Sequence, residues 1–333
     1  MRTTAPAQTV TLMNVGTGTL TVTSVSLSST QFAQSHNCTT LATGASCTVS
    51  LTFTPTGQSA VSGTLTIVTN GGTQTVALNG IGEKSLVTHY YRSILRRAPD
   101  AGGKVFWEGE ATRLQALGAN VNEAWYALAG SFYFSPEYLA LNRDNAGFVT
   151  DLYGTFLNRA PDTGGINDWM SQMAAGMPRE VVLASFMFSA EFAGFTQAIF
   201  GPSTTRKEID TVVDFYRGLL ARLPDDGGYN FWLQKFRTAQ CQGSAAVSAQ
   251  AEAISSQFAL SGEYAARARS NSQYVGDLYN AFLRRGGDLA GVQFWIGQIA
   301  TGVRTRENVR QQFLGSAEFN ARVAAIFAQG CLP

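Results

Sequence analysis

The feature that most constrains this chain is a signature that occurs four times. It reads YRSILRRAPDAGGKVFW at residues 91–107, YGTFLNRAPDTGGINDW at 153–169, YRGLLARLPDDGGYNFW at 216–232 and YNAFLRRGGDLAGVQFW at 279–295. Its aspartates, Asp100, Asp162, Asp225 and Asp288, recur every 62 or 63 residues. A fixed period implies one supersecondary unit that stacks on its neighbours to bury a continuous core. Each copy closes on a second signature, FYFSPEY, FMFSAEF, FALSGEY or FLGSAEF, which carries Glu137, Glu191, Glu263 or Glu318. From the aspartate to this glutamate the distances are 37, 29, 38 and 30 residues. Long and short copies therefore alternate, and the array is expected to be a duplicated pair, with halves at residues 87–200 and 207–330 joined by a linker at 201–206.

Within the second copy the apolar stripes follow helical spacing. Phe148, Leu152 and Phe156 make one, Ile166, Trp169 and Met173 the next, Val182 and Phe186 a third, and Phe192 and Phe195 a fourth. Four short helices per copy follow. The recurring Arg, Asp and Glu (Arg97, Asp100 and Glu137; Arg159, Asp162 and Glu191; Arg222, Asp225 and Glu263; Arg285, Asp288 and Glu318) admit a cation or ligand site as one reading. The favoured reading is structural: Pro-Asp stops one helix, the Asp carboxylate caps the next, and the glycine three residues on allows close packing. Ser135, Ser189, Ser261 and Ser316 suit N-caps, each with an acidic residue in the following turn. Trp107, Trp169, Trp232 and Trp295 occupy one repeat position and are expected as core anchors, whereas Trp125 stands outside the pattern and is the candidate exposed aromatic.

Residues 1–82 are a different material. Arg2 is their only charged side chain, and apolar residues alternate at period two: Val10 and Leu12, Leu20 and Val22, Val49, Leu51 and Phe53, Leu65 and Ile67, Val76 and Leu78. Turn signals at residues 14–18 and 70–72 separate the runs. This predicts an antiparallel sandwich buried on one face of each sheet, followed by a linker at 83–86.

Charge and cysteine usage narrow the function. Twenty-four Lys and Arg against 23 Asp and Glu leave a net charge of +1, with no global field to attract nucleic acid. No window reaches the roughly 18 consecutive apolar residues of a membrane helix. The start, MRTTAPAQTV, lacks the apolar stretch of a signal peptide, so either a removed export signal or another export route is expected. The four cysteines lack the CxxC spacing of a zinc or redox site. A structural disulfide is expected between Cys38 and Cys47, and implies an oxidising compartment. For Cys241 and Cys331, separation in sequence neither supports nor excludes a bond.

The stretches QTVTLMNVGTGTLTVTSVSL, NCTTLATGASCTVSLTFTP and SGTLTIVTNGGTQTVALNGIG resemble the bacterial ASH/Hydin-like immunoglobulin domain, also known as choice-of-anchor D. The resemblance implies an extracellular or periplasmic spacer with Cys38 and Cys47 paired. Members of that family usually begin with a further strand, and only MRTTAPA precedes Gln8 here. The first strand is expected to be absent. Either the chain is trimmed or manages with fewer strands, or a neighbouring molecule supplies the strand. The helical copies, with Arg-x-Pro-Asp-x-x-Gly, Trp and Phe-x-x-Ser-x-Glu-Phe in order, resemble the domain of unknown function family 4214. Such repeats are frequent in exported bacterial proteins, and the resemblance implies no chemistry.

Only His36 and His89 are present, and no HExxH, GxSxG, P-loop or dinucleotide fingerprint occurs. No enzymatic activity is expected, and a carboxylate-based hydrolase trails far behind the other readings. No cofactor is expected; calcium at the helix caps is a minor alternative, with no DxDxDG loop to support it. The fold expected is multidomain, α and β: an Ig-like sandwich followed by an all-α array of four helical repeats in two similar halves. The function expected is a non-catalytic structural or assembly protein of the bacterial exterior, a filament, surface-layer or matrix subunit that self-associates or meets other surface proteins. The alternative is an adhesin or glycan-binding module that uses the insertions at residues 120–125 and 240–248.

Overall fold

In the computed structural model, which describes residues 4–5, 7–57, 59–202 and 206–331, the period-two alternation builds seven strands. They are β1 (Gln8–Met13), β2 (Leu20–Leu27), β3 (Phe32–His36), β4 (Thr40–Leu41), β5 (Ser46–Phe53), β6 (Ala60–Thr69) and β7 (Gly72–Ile81). One sheet runs β1-β5-β3 and the other β4-β2-β6-β7, all pairs antiparallel. Val49, Leu51, Leu65 and Ile67 form the core between the sheets, with Leu41 and the Cys38–Cys47 disulfide. Asn14 fixes the first turn: its buried amide donates to the Gly18 and Leu41 carbonyls at 2.8 and 3.0 Å. Asn70 likewise ties the β6–β7 hairpin to β2, accepting from the Thr21 amide at 2.9 Å.

The two sheets end on β1 and β7 at one side of the sandwich, and these strands do not pair with each other. Between them lies a slot of about 190 Å³ lined by Val10, Phe32, Leu51, Phe53, Val76 and Leu78. The inward side chains of both edge strands are only half-buried, and of the described residues ahead of β1, Ala5 lines the slot and donates its amide to the Phe53 carbonyl at 2.8 Å.

A second compact unit begins at Val87. Among the described residues its sixteen α-helices fall into four sets of four, as the apolar stripes require. The first copy holds α1 (Val87–Ser93), α2 (Ala101–Ala116), α3 (Val121–Tyr133) and α4 (Pro136–Ala140); the second holds α5 (Asn145–Leu152), α6 (Thr163–Ala174), α7 (Arg179–Met187) and α8 (Ala190–Phe200). The third holds α9 (Lys207–Phe215), α10 (Asp226–Gln240), α11 (Ser244–Ala259) and α12 (Gly262–Ala266); the fourth holds α13 (Asn271–Leu278), α14 (Leu289–Ala300), α15 (Arg306–Leu314) and α16 (Ala317–Ala328). Of the expected linker at 201–206, residues 203–205 lie outside the described residues. A second disulfide joins Cys241, just after α10, to Cys331.

One expectation about these helices is corrected. Pro-Asp does not stop the preceding helix. In the last three copies α5, α9 and α13 first widen into π-helical turns, Tyr153–Leu157, Tyr216–Leu220 and Tyr279–Leu283. In every copy the backbone then turns through a left-handed residue, Arg96, Asn158, Ala221 or Arg284, with φ of 60°, 50°, 53° and 52°. That conformation ends a helix whatever follows it, and it lies four residues ahead of the capping aspartate.

The first helices of paired copies pack so closely that small residues are needed. Ser93 Oγ and Thr155 Oγ1 hydrogen-bond at 2.9 Å, and His89 Nε2 meets the Thr155 carbonyl at 2.8 Å. At the equivalent contact of the second half, a Cβ on Gly218 would sit 2.6 Å from the Ala281 Cβ. The halves are alike down to their polar ties. Arg179 binds Asn145 and the Arg143 carbonyl, and Arg306 binds Asn271 and the Arg269 carbonyl in the same way.

Candidate functional site

The recurring Arg, Asp and Glu come together in all four copies. Each aspartate is an N-cap: the Asp100, Asp162, Asp225 and Asp288 carboxylates accept from the amides of Gly103, Gly165, Gly228 and Gly291 at 2.7 to 2.8 Å. Each arginine makes two parallel bonds to its glutamate, Arg97 to Glu137, Arg159 to Glu191, Arg222 to Glu263 and Arg285 to Glu318. The same guanidinium lies over the repeat tyrosine, 4.7 Å from the Tyr91 centroid and 5.4 Å from that of Tyr279. In the first three copies it also reaches the capping aspartate. The glycine is required by the tyrosine: a Cβ on Gly103, Gly165 or Gly228 would meet the Tyr91, Tyr153 or Tyr216 hydroxyl at about 2.2 Å.

Electrostatics follow from these contacts. The Gly103 amide and then Arg97 hold the Asp100 carboxyl below the ordinary carboxylate range, and Arg97 does the same to Glu137. A carboxylate so engaged is a poor base, and the guanidinium beside it repels a cation. Among the described residues no group of three or more His, Cys, Asp or Glu side chains converges as metal ligands.

The serines Ser135, Ser189, Ser261 and Ser316 cap α4, α8, α12 and α16. The repeat tryptophans divide. Trp232 is buried, while Trp107, Trp169 and Trp295 are half-buried. Each packs on the first phenylalanine of the second signature, Phe132, Phe186, Phe258 or Phe313, with centroids 5.0 to 5.9 Å apart. Among the described residues, the phenylalanines just before three of these tryptophans, Phe106, Phe231 and Phe294, are exposed, as is Phe327 on α16.

Trp125 is not exposed. It is 2% accessible, its ring stacked on Phe200 at 5.5 Å and edge-on to Tyr90 at 6.1 Å. The insertion at 120–125 is not a ligand-facing loop either: Asn120 caps α3, and Glu123, Ala124 and Trp125 are buried. α3 is covered because it packs on α9 of the third copy. At 240–248, Gln240 is also buried, donating to the Ile326 carbonyl at 2.8 Å. Gln242 and Ala246 of that segment line a groove between α10 and α11, together with Phe231, Gln234, Lys235 and Gln250, while Val247 is buried.

Sequence reasoning missed a set of buried charges. Two residues before the repeat tyrosine stand Asp151, Asp214 and Asp277, with His89 at the same place in the first copy. All three aspartates are buried. Asp151 takes Arg96, Arg143 and the Tyr138 hydroxyl; Asp277 takes Arg269 and the Tyr264 hydroxyl, with Arg267 at 3.6 Å. Asp214 takes Arg217, Arg284 and Arg322, and Arg284 reaches on to Glu123 of the first half. Burial pushes the Asp214 carboxyl up, but Arg284, Arg217 and Arg322 outweigh it and hold it at about 2. Asp277 has fewer compensating charges, and burial leaves it at about 6. Asp210, one turn before Asp214, is pushed up to about 8 by burial and by Glu123, and its Oδ1 has no partner. Burial lowers the His89 imidazole to about 4. The recurrence of Asp at one repeat position was the available signal.

Comparison with known proteins assigns the same layout. Residues 3–81 match the HYDIN/CFA65/VesB-like, Ig-like domain, and residues 127–195 and 255–323 match the domain of unknown function DUF4214. Each helical match begins in the third helix of a long copy and ends in the fourth helix of the next short one. A solved structure of the Vibrio cholerae VesB protease is 25% identical over 23% of this chain and 26% of its own, with a TM-score of 0.19. The chain thus spans about a quarter of that structure's length. A search of the curated proteins gives no match. One Ig-like domain of the HYDIN/CFA65/VesB-like kind, followed by a helical unit with two DUF4214 domains, is what this chain comprises.

Proposed function

We propose that the chain is a non-catalytic, extracellular structural or assembly protein of the bacterial surface, a filament, surface-layer or matrix subunit that acts through protein–protein contacts. The observation that carries this reading is the open side of the sandwich. Strand β7 is ten residues long, pairs among the described residues on one side only, and keeps an unbroken register with β6. It carries no charge, proline or bulge, the devices that ordinarily blunt an edge. Beside it Val76 and Leu78 face Val10 across a slot that an added strand would fill. The two disulfides favour an oxidising compartment. The repeated carboxylates and arginines are spent on caps and ion pairs, which favours a scaffold over a catalyst.

Electron microscopy of the purified chain at rising concentration tests the reading. Ordered polymers are expected, and Ala77→Lys on β7 should reduce them at least tenfold. Dispersed particles at every concentration, or polymers indifferent to Ala77→Lys, refute it.

A glycan-binding role is the second reading, favoured by the α10–α11 groove. Phe231 offers an exposed ring, Gln234 and Gln242 offer amides, and Gln250 Nε2 is buried there without a partner. Retention on a glycan array that Phe231→Ala abolishes would support it over assembly.

A further inference from the structure

Where the first half of the helical unit meets the second, a cleft of about 550 Å³ opens between α4, α5 and α7 on one side and the segment from Leu220 to Gln273 on the other. That volume suits a small organic ligand. Its walls carry three arginines, Arg179, Arg267 and Arg269, against one carboxylate, Glu180.

The three arginines differ in how they are paired. Arg269 is committed, with bonds to Asp277 and to Glu180 at 2.8 Å. Arg179 donates to the Asn145 side chain and the Arg143 carbonyl, both neutral, and lies over the Phe148 ring at 5.0 Å. Arg267 donates to the Leu219 carbonyl, and its nearest carboxylate, Asp277, stands 3.6 Å away, already accepting from Arg269 and Tyr264. Among the described residues Arg179 thus pairs with no carboxylate, and Arg267 has only a share of Asp277.

We propose that this cleft binds a small organic anion of sugar-acid size, its charged group held by Arg179 and Arg267 and its body against Phe148 and Leu139. Guanidinium forks match carboxylates bidentately, and the aromatic and leucine walls supply apolar contact. The site is made by both halves, so a bound anion stabilises their junction. It is independent of the assembly reading, and neither depends on the other.

Thermal unfolding of the full chain, followed by tryptophan fluorescence at constant ionic strength, tests the proposal with sodium glucuronate and sodium benzoate against glucose and benzyl alcohol. At least one acid should raise the midpoint saturably while its neutral counterpart does not. Arg179→Gln should weaken that acid at least tenfold. Leu139→Asp, at a side chain 64% exposed on the rim, leaves the arginine network intact and should weaken it equally. No saturable rise with either acid, an equal rise with the neutral counterparts, or a rise that Leu139→Asp leaves unchanged overturns the site.

Discussion

Between residues 4 and 82 the sandwich carries no formally charged side chain, whereas the helical unit buries Glu123, Asp210 and Asp214 against Arg217, Arg284 and Arg322 at one seam. The difference reflects what each architecture needs to specify. In a sheet, ladder hydrogen bonds and inward apolar side chains fix the register, and a slip by one residue would expose the whole core face. Helices that pack on one another share no such ladder. Four similar copies could meet in several ways, and ion pairs that form in one arrangement only discriminate among them. Such pairs add little net stability and are costly to break.

Removing the disulfides tests how far the two regions are stabilised separately. Cys241 and Cys331 are 90 residues apart, Cys38 and Cys47 nine. Chain-entropy reasoning gives about 4.6 kcal/mol for the long loop and about 2.7 kcal/mol for the short one. All five tryptophans lie in the helical unit, so their fluorescence reports that unit alone. Cys331→Ser should lower its midpoint sharply and leave amide exchange in β5 and β6 unchanged, while Cys38→Ser should do the reverse. Equal loss in both units from either change would show that they unfold as one.

The charged seam gives the next largest effect. Asp214→Asn leaves three arginines around a neutral amide, and breaking a buried pair in this way costs about 3–5 kcal/mol. Denaturant unfolding followed by tryptophan fluorescence reads it. Restoring balance with Arg322→Met in the same chain should recover part of the loss. A loss below about 1 kcal/mol would mean that packing alone holds the halves together, and the contrast with the sandwich would fail.

Much of this was legible before any coordinates. The four copies, their four helices, the alternating long and short spacing and the sandwich all followed from periodicity, because apolar spacing is set by the geometry of the element that buries it. Trp125 misled for a physical reason: it lies outside the repeat stripe, yet a helix wedged between copies is buried on more than one face. The left-handed residues before Arg97, Arg159, Arg222 and Arg285 were invisible because Arg, Asn, Ala and Arg share no tendency toward that conformation. Asp214 and its partners escaped because a charged residue is by default assigned to solvent, and only its recurrence at Asp151 and Asp277 marks it as buried.

The mildest test uses pH. In the unfolded chain Asp210 loses its proton near 4, but in the folded unit burial holds the proton to about 8. The folded state therefore binds more protons across that window, and stability falls as pH rises through it. His89 acts oppositely below about 6.5, since the folded imidazole, lowered to about 4, stays neutral where the unfolded one is charged. Asp277, raised to about 6, acts in the same direction as Asp210 but is largely complete by pH 6.5; between pH 6.5 and 8 the Asp210 contribution dominates, at up to about 1.4 kcal/mol per pH unit. The helical unit should lose stability over that range and level off above it, and Asp210→Asn should flatten the profile, its advantage over wild type growing from pH 6.5 to pH 8. Residues 4–82 hold no carboxylate, lysine or arginine and one histidine, His36, so with His36→Gln in place amide-exchange stability of the sandwich should not move between pH 6.5 and 8. A sandwich that tracked the helical unit across this range would show that the charge-free region draws its stability from the charged one.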